Sequence, residues 1–254
     1  MPIQPRKAEY RQLADELRTR IETGFYGAGS MLPAEPTLAG EFGVGRQTVN
    51  HALQLLRGEG LVHGRRGVGM VVRELPPITS HRLERLQQVN RETRDGRGAF
   101  QFELESLGIT SKSEVEVTRE VPPADVAELL NVEAGGAALA RKRRMFGNDI
   151  PIQLATGWYP LDIAGDTQIE QVDTGVGGTY SRLGELDHAP ARFSERIKIR
   201  LATDTEAVFL QLDTEQRVYE IQHLAYDASG RVVEAQFHIM PAHAWELVYD
   251  WSAG

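Results

Sequence analysis

The chain has 254 residues, 41% apolar and 25% charged, with a formal net charge of −8 and no cysteine. That length and composition support one or two domains with cores of their own, while the missing cysteine excludes disulfides, thiolate metal sites and cysteine nucleophiles. The charge is uneven: residues 1–75 carry ten Lys/Arg against eight Asp/Glu and residues 76–254 carry 18 against 28, so the acidic excess lies outside the opening segment. The first ten residues contain no apolar core of a signal peptide and no apolar run approaches a membrane span, so a soluble, cytoplasmic protein is expected.

In residues 10–22, Leu13, Leu17 and Ile21 recur at helical spacing with Ala14 beside them, which predicts an amphipathic helix. Gly24 stops it, and Gly27 and Gly29 keep the next stretch irregular. Pro33 leads into a second helix over 34–42, with Leu38 and Phe42 facing inward and Gly43 at its end. A third helix over 46–57 buries Val49, Ala52, Leu53 and Leu56 and turns Arg46, Gln47 and Asn50 outward. The turn Phe42-Gly43-Val44-Gly45 thus presents a helix N-terminus with a polar, basic first turn, the arrangement that seats a helix in a DNA major groove. Residues 61–63 and 68–72, joined through Gly64-Arg65-Arg66-Gly67, predict a hairpin whose basic tip would serve as a wing. Thr48 and the amides of Gly45 and Arg46 suit phosphate, because a helix N-terminus offers free N–H groups and a positive dipole end. Arg65 and Arg66 suit phosphate or the minor groove rather than base edges. Ordinary surface solvation is the alternative for each; the turn-then-helix context favours DNA.

Tyr10, Leu17, Ile21, Gly24, Leu32-Pro33-Ala34-Glu35, Leu38-Ala39, Phe42 through Val49, Ala52-Leu53, Leu56, Gly60-Leu61 and Gly67-Val68-Gly69 together resemble the DNA-binding domain of GntR-family transcriptional regulators. The resemblance adds Glu35 and Gly67 to the DNA-binding set of Arg46, Gln47, Thr48, Asn50, Arg65 and Arg66. Ala34 and Gly45 stand where the family usually has Ser. Gly is tolerated as an N-cap, whereas Ala costs about 1 kcal/mol relative to Ser. Asn50 stands where relatives commonly carry Arg, which bears on the operator sequence rather than on the binding mode.

Leu75-Pro76-Pro77 breaks the wing and opens a linker over 76–82. Helices are expected at 83–90, 100–107, 124–130, 179–186 and 203–210, with Thr93–Gly98 a basic, glycine-rich loop between the first two. Strands are expected around 115–119, over 139–146 turning through Gly147-Asn148-Asp149 into 151–158, over 193–201, and over 218–226 turning through Asp227-Ala228-Ser229-Gly230 into 231–240. This is an α+β domain with a mostly antiparallel sheet. Arg141-Lys142-Arg143, Pro151, Trp158-Tyr159-Pro160, Gly177-Gly178-Thr179-Tyr180 and Tyr226-Asp227, Gly230 and Glu234 resemble the UTRA ligand-binding domain of the HutC subfamily, which has a chorismate-lyase-like fold. The resulting division is 1–75 for a winged helix-turn-helix domain, 76–82 for a linker and 83–254 for a UTRA effector-binding and dimerisation domain.

That resemblance implies an effector site at Arg141, Arg143, Gln153, Tyr180 and Glu234, with Gly178 at the start of the helix that carries Tyr180. Two arginines on one strand face can fork an anion, and Glu234 can accept from hydroxyls or amines; pairing of the arginines with exposed carboxylates is the plainer alternative. Phosphosugar-sensing relatives place hydroxyls where Gly98, Ala99 and Gly178 stand here, and Glu where Gln153 stands. Three lost hydrogen bonds at roughly 0.5–1.5 kcal/mol each argue against a simple aminosugar phosphate, with Arg94 and Arg97 as compensating cations or solvated loop residues.

No Ser/His/Asp order, HExxH or GxxxxGK[ST] loop occurs, and His238 and His243 lack the spacing of metal ligands on one helix face. The expectation is therefore no enzyme, metal or cofactor. It is a homodimeric transcriptional regulator, a repressor, that binds an inverted-repeat operator in double-stranded DNA under control of a small-molecule effector, anionic on the forked-arginine reading. A repressor needing no small molecule, as of plasmid transfer genes, is the alternative, and a chorismate-lyase-like enzyme a further one.

Overall fold

A computed structural model describes residues 8–65, 67–83, 99–213 and 216–252. The expected helix at 83–90 beyond Leu83, the basic loop with Arg94, Arg97 and Gly98, and Arg66 lie outside the described residues. The chain divides into two compact units, Met1–Pro77 with Asp213–Gln216, and Ile78–Leu212 with Arg217–Gly254.

In the first unit, α1 (Glu9–Glu22), α2 (Glu35–Phe42) and α3 (Arg46–Gly58) precede a hairpin of β1 (Val62–Arg65) and β2 (Gly69–Val72). One apolar cluster holds them together: Leu13, Ala14 and Leu17 of α1, Leu38 of α2, Val49, Ala52, Leu53 and Leu56 of α3, and Val62 and Val72 of the hairpin. Each is at most 4% exposed, so the helical stripes are spent on one another. Gly43 closes α2 in the left-handed region at φ 65°, a conformation that favours glycine and lets the chain turn at once into α3. Ala34 and Gly45 are the N-caps of α2 and α3, and neither makes a side-chain capping bond.

The second unit is built on a six-stranded antiparallel sheet in the order β4-β5-β6-β9-β8-β7. Its strands are β4 (Ser111–Glu120), β5 (Ala138–Gly147), β6 (Ile150–Pro160), β7 (Arg192–Leu201), β8 (Arg217–Tyr226) and β9 (Val232–Pro241). Its helices are α4 (Ala99–Glu105), α5 (Ala124–Leu130), α6 (Leu161–Ala164), α7 (Gly178–Glu185) and α8 (Asp204–Leu210), with a 3₁₀ turn at Gln168–Glu170. The α+β reading with a mostly antiparallel sheet holds. The β5–β6 turn takes Asn148 and Asp149 to φ 47° and 64°, as a two-residue hairpin requires. Thr203 and Glu206 form a complete capping box at α8.

Sequence reading left Ile78–His81 in a linker. It is a strand, β3, paired in parallel with β10 (Trp245–Val248) in a separate two-stranded sheet. Its four residues carry no turn chemistry and too little alternation to stand out; only the distant β10 makes it a strand.

α5 packs on one face of the large sheet, with Val126 and Leu130 against Ala140, Trp158, Ala235 and Leu224. The other face is covered at one end by α6, the 3₁₀ turn and α7, through Ile163, Ile169 and Leu183 against Leu139, Tyr159 and Ala225. The middle of that second face is polar.

Candidate DNA interface and effector site

In the first unit, Arg46, Gln47 and Asn50 are exposed on the first turn of α3, and Thr48 is half-buried. Val49 beside them is fully buried, so the helix is fixed in rotation by its core stripe and presents these polar residues outward. Glu35 is exposed at the first position of α2. The hairpin runs in register from Val62 opposite Val72 to Arg65 opposite Gly69, so the first strand extends two residues beyond His63 into the expected turn, to Arg65. Gly67, at φ 77°, and Arg65 lie exposed at its tip. The opening chain adds a rung: Leu32 donates its N–H to Met70 at 2.8 Å, and Val72 donates to Ser30 at 2.9 Å. That extra pairing stiffens the hairpin from the side opposite β1.

In the second unit, strand register collects side chains that are far apart in sequence. Val117, Arg141, Gly157, Gln236, His223 and Glu195 fall in one row across the sheet, and Arg143, Ala155 and His238 in the next. Directly opposed residues share a face, so Arg141, Arg143, Gln153, Tyr159, Glu234, Gln236, His238, His223 and Glu195 lie together. Ala155 and Gly157 keep the centre of that face low. A Cβ on Gly157 would stand 3.1 Å from the Tyr159 hydroxyl oxygen, so the glycine leaves room for the ring that crosses it.

Four of the five expected effector residues are seated as follows. Glu234, 1% exposed, accepts from the hydroxyls of Tyr159 and, at 2.5 Å, Tyr180. Burial, then the Glu234 charge, raises the pKa of both phenols, which keeps them as donors. Gln153 is fully buried and donates from Nε2 to Nδ1 of His238 at 2.8 Å. Its Oε1 is buried with no hydrogen-bond partner among the described residues, and so is Nε of Arg143. One buried acceptor and one buried donor are thus open on this face, an arrangement that a bound polar molecule would satisfy.

Arg141 is used differently. Its guanidinium donates to the backbone carbonyls of Ile169 at 2.6 Å, Gln171 at 2.5 Å and Val172 at 3.0 Å, tying the segment after the 3₁₀ turn to the sheet. Burial lowers its pKa, and the neighbouring Arg143 charge adds to that. Arg141 and Arg143 share a face as expected, but the first is engaged by protein oxygens.

Sequence reading missed the residues behind Tyr180. Its hydroxyl lies 3.0 Å from Nε2 of His223, and Nδ1 of His223 lies 3.0 Å from Glu195. Glu195 also accepts from Nε and Nη2 of Arg82 and, at 2.6 Å, from Tyr249. Burial alone would raise the Glu195 pKa; the hydrogen bonds from His223, Arg82 and Tyr249 outweigh it and hold the carboxylate well below its usual range. The alternation on β7 and β8 was visible in the sequence, but the pairing of Glu195 with His223 needed the register.

Comparison with known proteins finds a match for each unit. The bacterial regulatory protein, gntR family, profile matches residues 9–72, and the UTRA domain profile matches residues 106–246. An uncharacterised HTH-type transcriptional regulator of Rhizobium meliloti (strain 1021) is 31% identical over 229 residues, covering 89% of this chain and 88% of that protein. The HTH-type transcriptional repressor NagR of Bacillus subtilis (strain 168) is 24% identical over 227 residues, covering 89% and 87%. Among solved structures, PhnF from Mycobacterium smegmatis superimposes with a TM-score of 0.59 at 21% identity, covering 95% of this chain and all of that one.

Proposed function

The chain belongs to the GntR family of bacterial transcriptional regulators, in its UTRA-containing branch, and we propose that it is a cytoplasmic, homodimeric repressor released from its operator by a small polar effector. DNA binding and effector control are the family's functions; repression, dimerisation and the identity of the site residues are the proposal. The exposed first turn of α3, held outward by a fully buried stripe, is the observation that carries it. Arg46, Gln47, Thr48 and Asn50 would meet the major groove, Glu35 its margin, and Arg65, Arg66 and Gly67 the adjacent backbone. Two such heads in a dimer would read an inverted repeat. The name of the Bacillus relative, a repressor, favours repression over activation.

Arg143, Gln153, Tyr180 and Glu234 would contact the effector, with Arg141 holding the neighbouring segment. The effector domain would begin at Ile78 rather than after a linker ending at residue 82, because β3 pairs with β10. A second reading, a repressor that needs no small molecule, draws support from the capping of Glu234 by two tyrosines and of Arg141 by three carbonyls. Electrophoretic shifts of the DNA upstream of the protein's own gene, with and without pooled metabolites, separate the readings. Retention of the complex in every pool while Arg46→Ala abolishes it would favour the second; no complex in any condition would overturn both.

A further inference from the structure

One set of polar contacts in the second unit forms an unbroken chain. Tyr159 and Tyr180 donate to Glu234; Tyr180 meets His223; His223 meets Glu195; Glu195 pairs with Arg82. Glu234, His223 and Arg82 are 1%, 4% and 3% exposed, and the Glu195 side chain 8%. Aromatic packing holds the middle in place: the Phe193 ring lies 5.7 Å from that of Tyr180 and 5.4 Å from that of His223.

The proton inventory makes the links interdependent. With the Tyr180 hydrogen directed at Glu234, the hydroxyl oxygen can only accept from Nε2 of His223, and Nδ1 faces the Glu195 carboxylate. If another donor takes Glu234, Tyr180 is free to direct its hydrogen at Nε2, which must then be bare. The state of the Glu234 end therefore bears on the hydrogen-bond roles at His223, and through its Nδ1 on the contact with Glu195.

The far end is placed for consequence. Arg82 directly follows β3, and β3 begins at Ile78, the first residue after the boundary of the DNA-binding unit at Pro77. We infer that Tyr180, His223, Glu195 and Arg82 are the link by which effector occupancy at Glu234 alters the anchoring of the segment leading from the DNA-binding unit. His223, Glu195 and Arg82 act in it as positioning residues and touch no ligand. The inference rests on the effector reading of Glu234; contiguity supplies its route, and energetic coupling is what must be measured.

Hydrogen–deuterium exchange of the DNA-free full-length protein, read on a peptide spanning residues 75–83, tests the link without a known effector. Glu234→Gln is expected to change exchange of that peptide at least about fivefold, the lower end of typical coupling. In a Tyr180→Phe background, which removes one oxygen and keeps the ring, the same change is expected to vanish. Equal effects of Glu234→Gln in both backgrounds, or none in either, would overturn the link. If Glu234→Gln does not fold, Tyr180→Phe against Glu195→Gln and their double mutant give the same cycle: non-additive effects on the peptide support the link and additive ones overturn it. Operator affinity is measured separately. A protein that binds no DNA would refute the regulator reading while leaving the exchange result to stand or fall alone.

Discussion

His223 and Glu195 face each other across the β7–β8 ladder, with Nδ1 of the imidazole 3.0 Å from a carboxylate oxygen that Arg82 also grips. A carboxylate with three kinds of donor and little water is a stabilising element only while it is ionised. Its folded pKa lies below the unfolded value, so its contribution is complete above about pH 4.3, the unfolded reference, and is lost as pH falls through the folded value. Glu195→Gln leaves the buried Arg82 guanidinium without its charge partner and should cost about 3–5 kcal/mol at pH 7. Urea unfolding of both proteins at pH 7 and pH 3 should show that difference narrowing in acid. A gap that stayed constant or widened would mean that Glu195 is not ionised in the fold.

Arg46→Ala should weaken operator binding at least about fivefold, since one good bidentate base contact is worth about 1–3 kcal/mol. Arg46 is exposed and outside the core stripe of α3, so the melting temperature should stay within about 1 °C. Fluorescence anisotropy with a labelled operator duplex, paired with a thermal melt, reads both quantities. Unchanged affinity would remove Arg46 from the interface.

Ala34 caps α2 with extended backbone angles and no side-chain bond, and it is exposed. A serine there can accept from an amide of the first turn. Ala34→Ser should therefore stabilise the first unit by about 1 kcal/mol, seen as a higher denaturant midpoint for tryptophan-independent signals such as helical circular dichroism. No gain would show that water already satisfies those amides.

Arg141→Met keeps the aliphatic stem and removes the donors to Ile169, Gln171 and Val172. The loss should be about 2–3 kcal/mol, because charged hydrogen bonds exceed neutral ones and the Ile169 contact is buried. Proteolysis should then find the 169–175 segment first, while operator affinity at 25 °C stays within about twofold. An intact segment with lost effector response would instead make Arg141 a direct ligand contact.

The DNA-binding half was legible because its signals are local. Stripes at helical spacing, Gly43 at a left-handed cap and paired glycines around Arg65 specify three helices and a hairpin within a few residues of each other. The effector half was legible as elements and only partly as a site. Strand alternation identified the pairs of hairpins, so Arg141 and Arg143 were rightly put on one face. Which groups answer them is a long-range matter: Arg141 meets a segment 28 to 31 residues away, and Arg82 meets Glu195 113 residues on.

By itself the sequence determined the two-part organisation, the α+β class and the rotation of α3, because periodicity, capping and turn chemistry act through neighbours, and its motifs carried the family resemblance. Only the tertiary structure decided that Ile78–His81 is a strand, that Arg141 serves the backbone and that Glu234 is joined through Tyr180 and His223 to Arg82. A hydrogen bond between buried groups depends on register and on which partner arrives first, and neither is written in the spacing of residues along one strand.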